Sequence, residues 1–154
     1  MLNLFTSFGY FSARQNLDVL RRMARALKPG GRILIDHRDR DYDATLPGRW
    51  WDRAPDGTLA LQEMKLDRRT GRWSGEWTFV SPGGRRSVRP LRHYVYTLDQ
   101  WKRMFCAAGL RLTGAWSGYA QPYRAGKGPR LLVAGTKPGY GSGHAVWRSP
   151  RTHR

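Results

Sequence analysis

The clearest structural signal in the chain is the stretch Leu27-Lys28-Pro29-Gly30-Gly31-Arg32-Ile33-Leu34-Ile35, where a helical pattern stops and a strand pattern starts. Proline cannot continue the hydrogen-bond ladder of a helix, and glycine accepts the left-handed conformation that commonly ends one. Ile33, Leu34 and Ile35 then form an uninterrupted apolar run. Such a run is typical of a strand buried on both faces, and therefore of a parallel sheet.

The residues before this stretch complete a βαβ unit. Leu2-Asn3-Leu4-Phe5 is a short extended apolar run that stops at Thr6, Ser7 and Gly9. Asn16 is interpreted as the cap of an amphipathic helix. The apolar face of this helix, at spacings of three and four, consists of Leu17, Leu20, Met23, Ala24 and Leu27. A strand, a helix and a second buried strand predict an α/β fold with a right-handed crossover.

Residues 43–96 have a different period, because Gly, Pro and Asp punctuate three extended stretches. These stretches are 58–66, 72–80 and 86–96, with hairpin-type connections at 68–71 and 81–84. Trp73 and Trp77 fall on one face of the second stretch and are interpreted as the core of this region. The pattern predicts an antiparallel β-meander inserted into the α/β framework.

The chain then returns to helical spacing over residues 97–108, where Thr97 and Gln100 form a capping box and Gly109 ends the helix. Cys106 is interpreted as an inert core thiol on this helix. Two further strands are expected at 110–117 and 130–136, as an antiparallel pair. We expect residues 1–137 to form the folded part, and residues 138–154 a basic, disordered tail.

The charge of the chain is strongly positive. It has 28 Lys and Arg against 11 Asp and Glu, which gives a formal net charge of +17. Most of the basic residues are arginines scattered through every segment, a distribution typical of a solvated surface. Non-specific adhesion to nucleic acid is therefore expected, and a basic nucleic-acid-binding module without catalysis is the alternative function.

Several classes of protein are excluded or disfavoured by composition. No apolar run approaches the roughly 20 residues of a membrane-spanning helix, and the apolar opening has no basic head or cleavage signal of a secreted protein. The single cysteine excludes an internal disulfide, and no His, Asp and Glu set has metal-ligand spacing. A cytoplasmic protein without a metal site is the expectation.

Five segments together resemble the carboxy-terminal half of class I S-adenosylmethionine-dependent methyltransferases. They are Asn3-Leu4-Phe5-Thr6-Ser7-Phe8-Gly9-Tyr10-Phe11, Leu27-Lys28-Pro29-Gly30-Gly31-Arg32, Tyr96-Thr97-Leu98, Ala107-Ala108-Gly109-Leu110 and Arg130-Leu131-Leu132-Val133-Ala134. The resemblance implies a half-sheet with the family's strand order 4-5-7-6, and S-adenosylmethionine as cofactor. It also implies a small-molecule methyl acceptor, with N-, O- or C-methylation.

The family's main cofactor-binding features are not found in the sequence. These are a glycine-rich turn after the first strand, an acidic residue that ends the second strand, and an adenine contact from the third. The pairs Gly30-Gly31 and Gly83-Gly84 follow a helix and sit in a hairpin, so neither is the strand-to-helix turn that such a site requires. We therefore expect a fragment that is inactive alone, with an exposed apolar edge that invites pairing with a second chain.

The resemblance and the strand ends together predict the site residues. Phe5, Thr6 and Ser7 follow the first strand, where ligands of open α/β sheets bind, and they are assigned to the cofactor. Packing of a strand end on the next helix is the alternative. The predicted acceptor-side residues are Tyr10, Arg38, Tyr119 and Arg130. His37 is the candidate base, because a histidine accepts a proton near neutral pH and Asp36 or Asp39 lies close enough in sequence to orient it. The alternative is methyl transfer without a base, by positioning of the acceptor in line with the methyl group and the sulfur.

Overall fold

The computed structural model describes residues 1–139, so the predicted tail lies outside the described residues except for Pro138 and Gly139. The elements, in chain order, are β1 (Leu2–Asn3), α1 (Ala13–Ala26), β2 (Arg32–Arg38), α2 (Arg40–Asp43), β3 (Arg49–Arg53), β4 (Leu59–Asp67), β5 (Arg72–Val80), β6 (Arg86–Tyr94), α3 (Leu98–Ala107), β7 (Arg111–Trp116) and β8 (Arg130–Thr136). The α/β class is confirmed, with one mixed and one antiparallel sheet.

The mixed sheet has the strand order β1-β2-β8-β7. β1 is parallel to β2, whereas β8 is antiparallel to both of its neighbours. Helices α1 and α3 contact each other, and α3 packs on β7 and β8. Between the helices and the sheet lies the main core, which includes Leu20, Ile33, Ile35, Trp101 and Phe105, all nearly inaccessible to solvent.

The antiparallel sheet is a four-stranded meander of order β3-β4-β5-β6. Three of its strands and both hairpin connections were predicted, but β3 was not. Trp73 is buried in a small core with Met64 and Val95, as predicted, whereas Trp77 is only half-buried and packs on Phe79. The meander therefore has its core at one end, next to the mixed sheet.

Three local predictions are wrong. Helix α1 begins at Ala13, because Ser12 and Gln15 form the capping box; Asn16 is instead fully buried and donates to the hydroxyl of Tyr96. The first strand ends at Asn3 rather than at Phe5, because the backbone turns there. Cys106 is exposed rather than in the core, since the neighbouring Phe105 takes the buried position on α3.

A substitution in the meander tests its packing. At Gly75 a Cβ atom would overlap the backbone carbonyl oxygen of Glu63 on the neighbouring strand. Gly75→Ala is expected to lower the free energy of unfolding by about 1–3 kcal/mol, because backbone cannot move aside cheaply. Gly83→Ala is the matched control, since a Cβ there meets nothing within 4 Å. Equal urea midpoints for the two variants would contradict the described packing.

Candidate functional site

The backbone turn after β1 has a conformation that side chains disfavour. Phe5 and Thr6 have positive φ angles of 56° and 57°. Among the described residues other than glycine, these two have a positive φ. Each such residue costs roughly 1–3 kcal/mol, and consecutive ones persist only where their surroundings fix them. Strain of this kind is concentrated at ligand-binding sites. The turn stands at the carboxyl end of a parallel strand, where the sequence predicted a ligand.

Asp36 of β2 is the residue that fixes this turn. The Phe5 backbone N–H donates to the Asp36 Oδ2 at 3.1 Å, and the Thr6 backbone N–H donates to the Asp36 carbonyl oxygen at 3.1 Å. Ser7 closes the turn from the other side, because its hydroxyl and its backbone N–H both donate to the Leu4 carbonyl oxygen. Phe5 is thereby held with its side chain 77% exposed.

Two further groups converge on the buried Asp36 carboxylate. The Arg130 guanidinium Nη1 lies 2.7 Å from both carboxylate oxygens, and the Tyr119 hydroxyl donates to Oδ2 at 3.1 Å. Arg130 keeps 34% of its side chain exposed while that of Asp36 is fully buried. Tyr119 belongs to the connection between β7 and β8 and is otherwise 69% exposed. One carboxylate thus joins the strand-end turn, this connection and the last strand.

His37 points away from Asp36, because successive side chains of a strand alternate between its faces. Its ring is fully buried; Nε2 lies 3.0 Å from the Phe8 carbonyl oxygen and Nδ1 lies 3.1 Å from the Arg38 carbonyl oxygen. Burial, followed by the charge of the adjacent His93 ring, lowers the pKa of His37 to about 3. The neutral imidazole is therefore the form that the fold holds.

The other predicted acceptor-side residues lie on the meander side of the molecule. Tyr10 is 52% exposed and packs on the His93 ring with 4.7 Å between centroids. The Arg38 guanidinium donates to Asp43 at 2.8 Å and lies 5.3 Å above the Trp73 ring. Arg38 is thus engaged in an ion pair between β2 and α2, whereas Tyr10 has half of its surface exposed.

The structure brings Phe5, Thr6, Tyr119 and Arg130 together around Asp36, with Ser7 beside them. His37, Arg38 and Tyr10 form a second group toward β6. The sequence predicted that Asp36 stands at the crevice and orients His37, but it did not predict that Asp36 is the centre of the first group. An acidic residue that ends a buried strand was the available signal; its partner Arg130 is 94 positions away, and the pairing follows only from the register of β2 on β8.

The buried histidines give the fold a pH dependence. Burial lowers the pKa of His93 as well as that of His37, so the unfolded chain binds protons at higher pH than the folded one. Stability is therefore fully present above about pH 6.5 and is lost as the pH falls toward 3, by up to about 1.4 kcal/mol per pH unit for each histidine.

Urea unfolding at a series of pH values measures this slope. Asp39 and Asp43 contribute with the opposite sign near pH 4, because burial raises the pKa of both carboxyls. Replacing His93 with glutamine is expected to reduce the slope between pH 6.5 and 5. An unchanged slope would show that His93 titrates alike in the folded and unfolded chain.

Residues 1–139 were considered for a metal site and for a membrane-spanning helix, and they contain neither. No group of three or more His, Cys, Asp or Glu side chains is placed to hold a metal ion. No helix within these residues is long and apolar enough to cross a membrane.

The comparisons with known proteins find similarity in structure. No protein-family model and no curated protein matches the sequence. The CcbJ methyltransferase from Streptomyces caelestis matches with a TM-score of 0.76 and 17% identity, over 89% of this chain and 56% of that one. A S-adenosylmethionine-dependent methyltransferase from Clostridium acetobutylicum matches with a TM-score of 0.75 and 12% identity, over 90% and 57%.

CalS10, an amino pentose methyltransferase from Micromonospora echinaspora solved with S-adenosylmethionine bound, matches with a TM-score of 0.62 and 17% identity, over 88% and 56%. The resemblance that the sequence predicted is confirmed as a shared fold. This chain spans a little over half the length of the solved structures it matches.

Proposed function

Because the chain shares its fold with S-adenosylmethionine-dependent methyltransferases, we propose that it forms part of the active site of such an enzyme, acting on a small molecule. The observation that carries the proposal is the turn at Phe5 and Thr6, strained and fixed by Asp36 at the carboxyl end of β1. The resemblance assigns the same turn to the cofactor. Strain that costs stability is retained where a ligand requires it.

The order of the mixed sheet supports the assignment. β1-β2-β8-β7 runs parallel, antiparallel, antiparallel, and matches the family order 4-5-7-6 if β1 corresponds to the fourth strand. The carboxyl ends of β1 and β2 then form one wall of the ligand crevice. Phe5, Thr6 and Ser7 stand on that wall, with Asp36 beneath them.

The described residues fit one side of S-adenosylmethionine. Phe5 offers an exposed aromatic surface, and the fixed turn offers backbone groups of Thr6 and Ser7. A cofactor-binding glycine turn lies between a strand and the helix that follows it. Within residues 1–139, neither glycine pair has this position, since Gly30-Gly31 lies between α1 and β2 and Gly83-Gly84 lies between β5 and β6. When bound, the cofactor would supply an electrophilic methyl group on a positively charged sulfur, for transfer to an acceptor atom with a lone pair.

The acceptor side is assigned to Tyr10, Tyr119 and Arg130, with an N, O or C nucleophile on a small molecule. Tyr119 and Arg130 already contact the Asp36 carboxylate, so an acceptor meets a preformed polar surface. The role of His37 as a base stays a prediction, and it requires that a ring nitrogen leave a backbone carbonyl and become accessible. Positioning of the acceptor is the mechanism that these contacts favour.

We also propose that the chain is inactive alone. The ribose and adenine of the cofactor need anchors, each worth about 1–3 kcal/mol, and two missing anchors weaken binding by about two to four orders of magnitude. Isothermal titration of the purified chain with S-adenosylhomocysteine is expected to give a dissociation constant well above the low micromolar range. A low micromolar value for the chain alone would contradict this.

The alternative of a nucleic-acid-binding module has no support from the comparisons, and neither has self-association through the β1 edge. Titration with a short RNA distinguishes a nucleic-acid-binding module from non-specific adhesion to nucleic acid. We expect binding that disappears between about 0.05 and 0.2 M salt, because scattered arginines contact phosphates without reading a sequence.

A further inference from the structure

Two histidines from different sheets converge on one backbone carbonyl. His37 on β2 and His93 on β6 place their Nε2 atoms 3.0 and 2.7 Å from the Phe8 carbonyl oxygen. Their rings are stacked, with centroids 5.0 Å apart and planes 19° from parallel. Because a carbonyl oxygen only accepts, a ring nitrogen bonds to it only when that nitrogen carries a proton, and a neutral ring carries one proton, on Nε2 or on Nδ1.

The Phe8 carbonyl oxygen has two possible donors, although one would satisfy it. His37 faces carbonyl oxygens with both nitrogens, and a neutral ring carries one proton, so it donates to only one of them at a time. His93 gives the Phe8 oxygen a second donor. The carbonyl therefore stays bonded whichever way the His37 proton lies.

The next residue, Gly9, is fitted against the same two rings. It has a φ of 103°, and a Cβ there would meet the Tyr94 carbonyl oxygen at 2.5 Å and the His93 Nε2 at 2.9 Å. Its own carbonyl oxygen accepts from the Tyr94 backbone N–H at 2.7 Å. Phe8 and Gly9 are thus both fastened to β6 of the meander, and only glycine fits at this approach.

Tyr10 follows directly and packs on the His93 ring, with 4.7 Å between the centroids. We propose that His37 and His93 are positioning residues, which hold the Phe8 carbonyl so that Tyr10 stands at a fixed place on the acceptor side. The role of Tyr10 rests on the proposed function, whereas the hydrogen bonds that hold Phe8 and Gly9 on β6, here called the fastening, do not. The meander then sets the place of Tyr10 on the acceptor side, through the bond of His93 to the Phe8 carbonyl oxygen and that of the Tyr94 N–H to the Gly9 carbonyl oxygen.

Hydrogen exchange tests the fastening with His93→Leu and His93→Gln. Leucine removes the donor, whereas the glutamine amide nitrogen reaches a place similar to that of Nε2 and keeps it. We expect His93→Leu to raise the exchange rate of the Tyr94 amide at least tenfold while the Ile35 amide is unchanged, and His93→Gln to restore slow exchange. Equal Tyr94 rates in all three proteins, or a matching rise at Ile35, would overturn the proposal.

The unmodified chain provides a measurement that needs no variant. Imidazole nitrogen shifts at pH 7 are expected to show both rings neutral and the proton of His93 on Nε2; an Nδ1 proton on His93 would overturn the proposal. A titration with S-adenosylhomocysteine separates the two ideas. Absence of shifts at Thr6 and Ser7 counts against the proposed function alone, while the exchange result decides the fastening.

Discussion

Trp101→Ala is expected to lower the free energy of unfolding by about 3–5 kcal/mol, the cost of removing a large buried aromatic side chain. Trp101 is fully buried on α3 and contacts the rings of Phe8, His37, Tyr96 and Phe105. The cavity would lie directly under the Phe8 segment. Urea unfolding followed by far-ultraviolet circular dichroism measures the loss.

Trp101→Phe is the matched control. The indole Nε1 of Trp101 is buried and has no hydrogen-bond partner among the described residues, so its removal costs little. Phenylalanine keeps most of the ring contacts, and we expect a loss near 1 kcal/mol. A loss for alanine as small as that for phenylalanine would show that Trp101 is not at the centre of the core.

Asp36→Ala is expected to lower the free energy of unfolding by about 3 kcal/mol and to release the turn after β1. It leaves the Phe5 N–H and the Tyr119 hydroxyl without their acceptor and deprives Arg130 of its carboxylate. Removal of one partner from a buried ion pair costs about 3–5 kcal/mol, and the lower end applies because Arg130 is 34% exposed.

Asp36→Asn and Arg130→Met complete the experiment. Asparagine keeps an acceptor for the Phe5 N–H, so we expect a smaller loss than for alanine. The double variant Asp36→Asn/Arg130→Met is expected to lose less than the sum of the two single variants, because each leaves the other group unpaired. Strict additivity would show that the two side chains act independently.

Long periodic segments were predictable from the sequence. The apolar face of α1 and the three longer strands of the meander follow from spacing, since each has enough repeats to show its period. β3 was missed because it has five residues, of which the first and last are arginines, and is too short to show an alternation; it is also paired on one side only. Ser12 was overlooked as a cap because Asn16 stands closer to the apolar run.

The site was only partly predictable, because several of its contacts join residues that are far apart in the sequence. The strand-end residues Phe5, Thr6 and Ser7 could be located, because the end of a strand is a local signal. The meeting of Asp36 with Arg130, and of His37 with His93, depends on the pairing of strands far apart in sequence. His37 and Asp36 are adjacent, and only the alternation of the strand assigns them to different groups.

We propose above that the turn after β1 is a cofactor-binding surface. Titration of the isotope-labelled chain with millimolar S-adenosylhomocysteine, followed by amide chemical shifts, tests it directly. We predict progressive shifts at Phe5, Thr6 and Ser7 that are abolished in Asp36→Ala and retained in Gly83→Ala. No shift at millimolar ligand, or shifts confined to Trp51 and Leu61, which are exposed apolar residues on β3 and β4 of the meander, would contradict this.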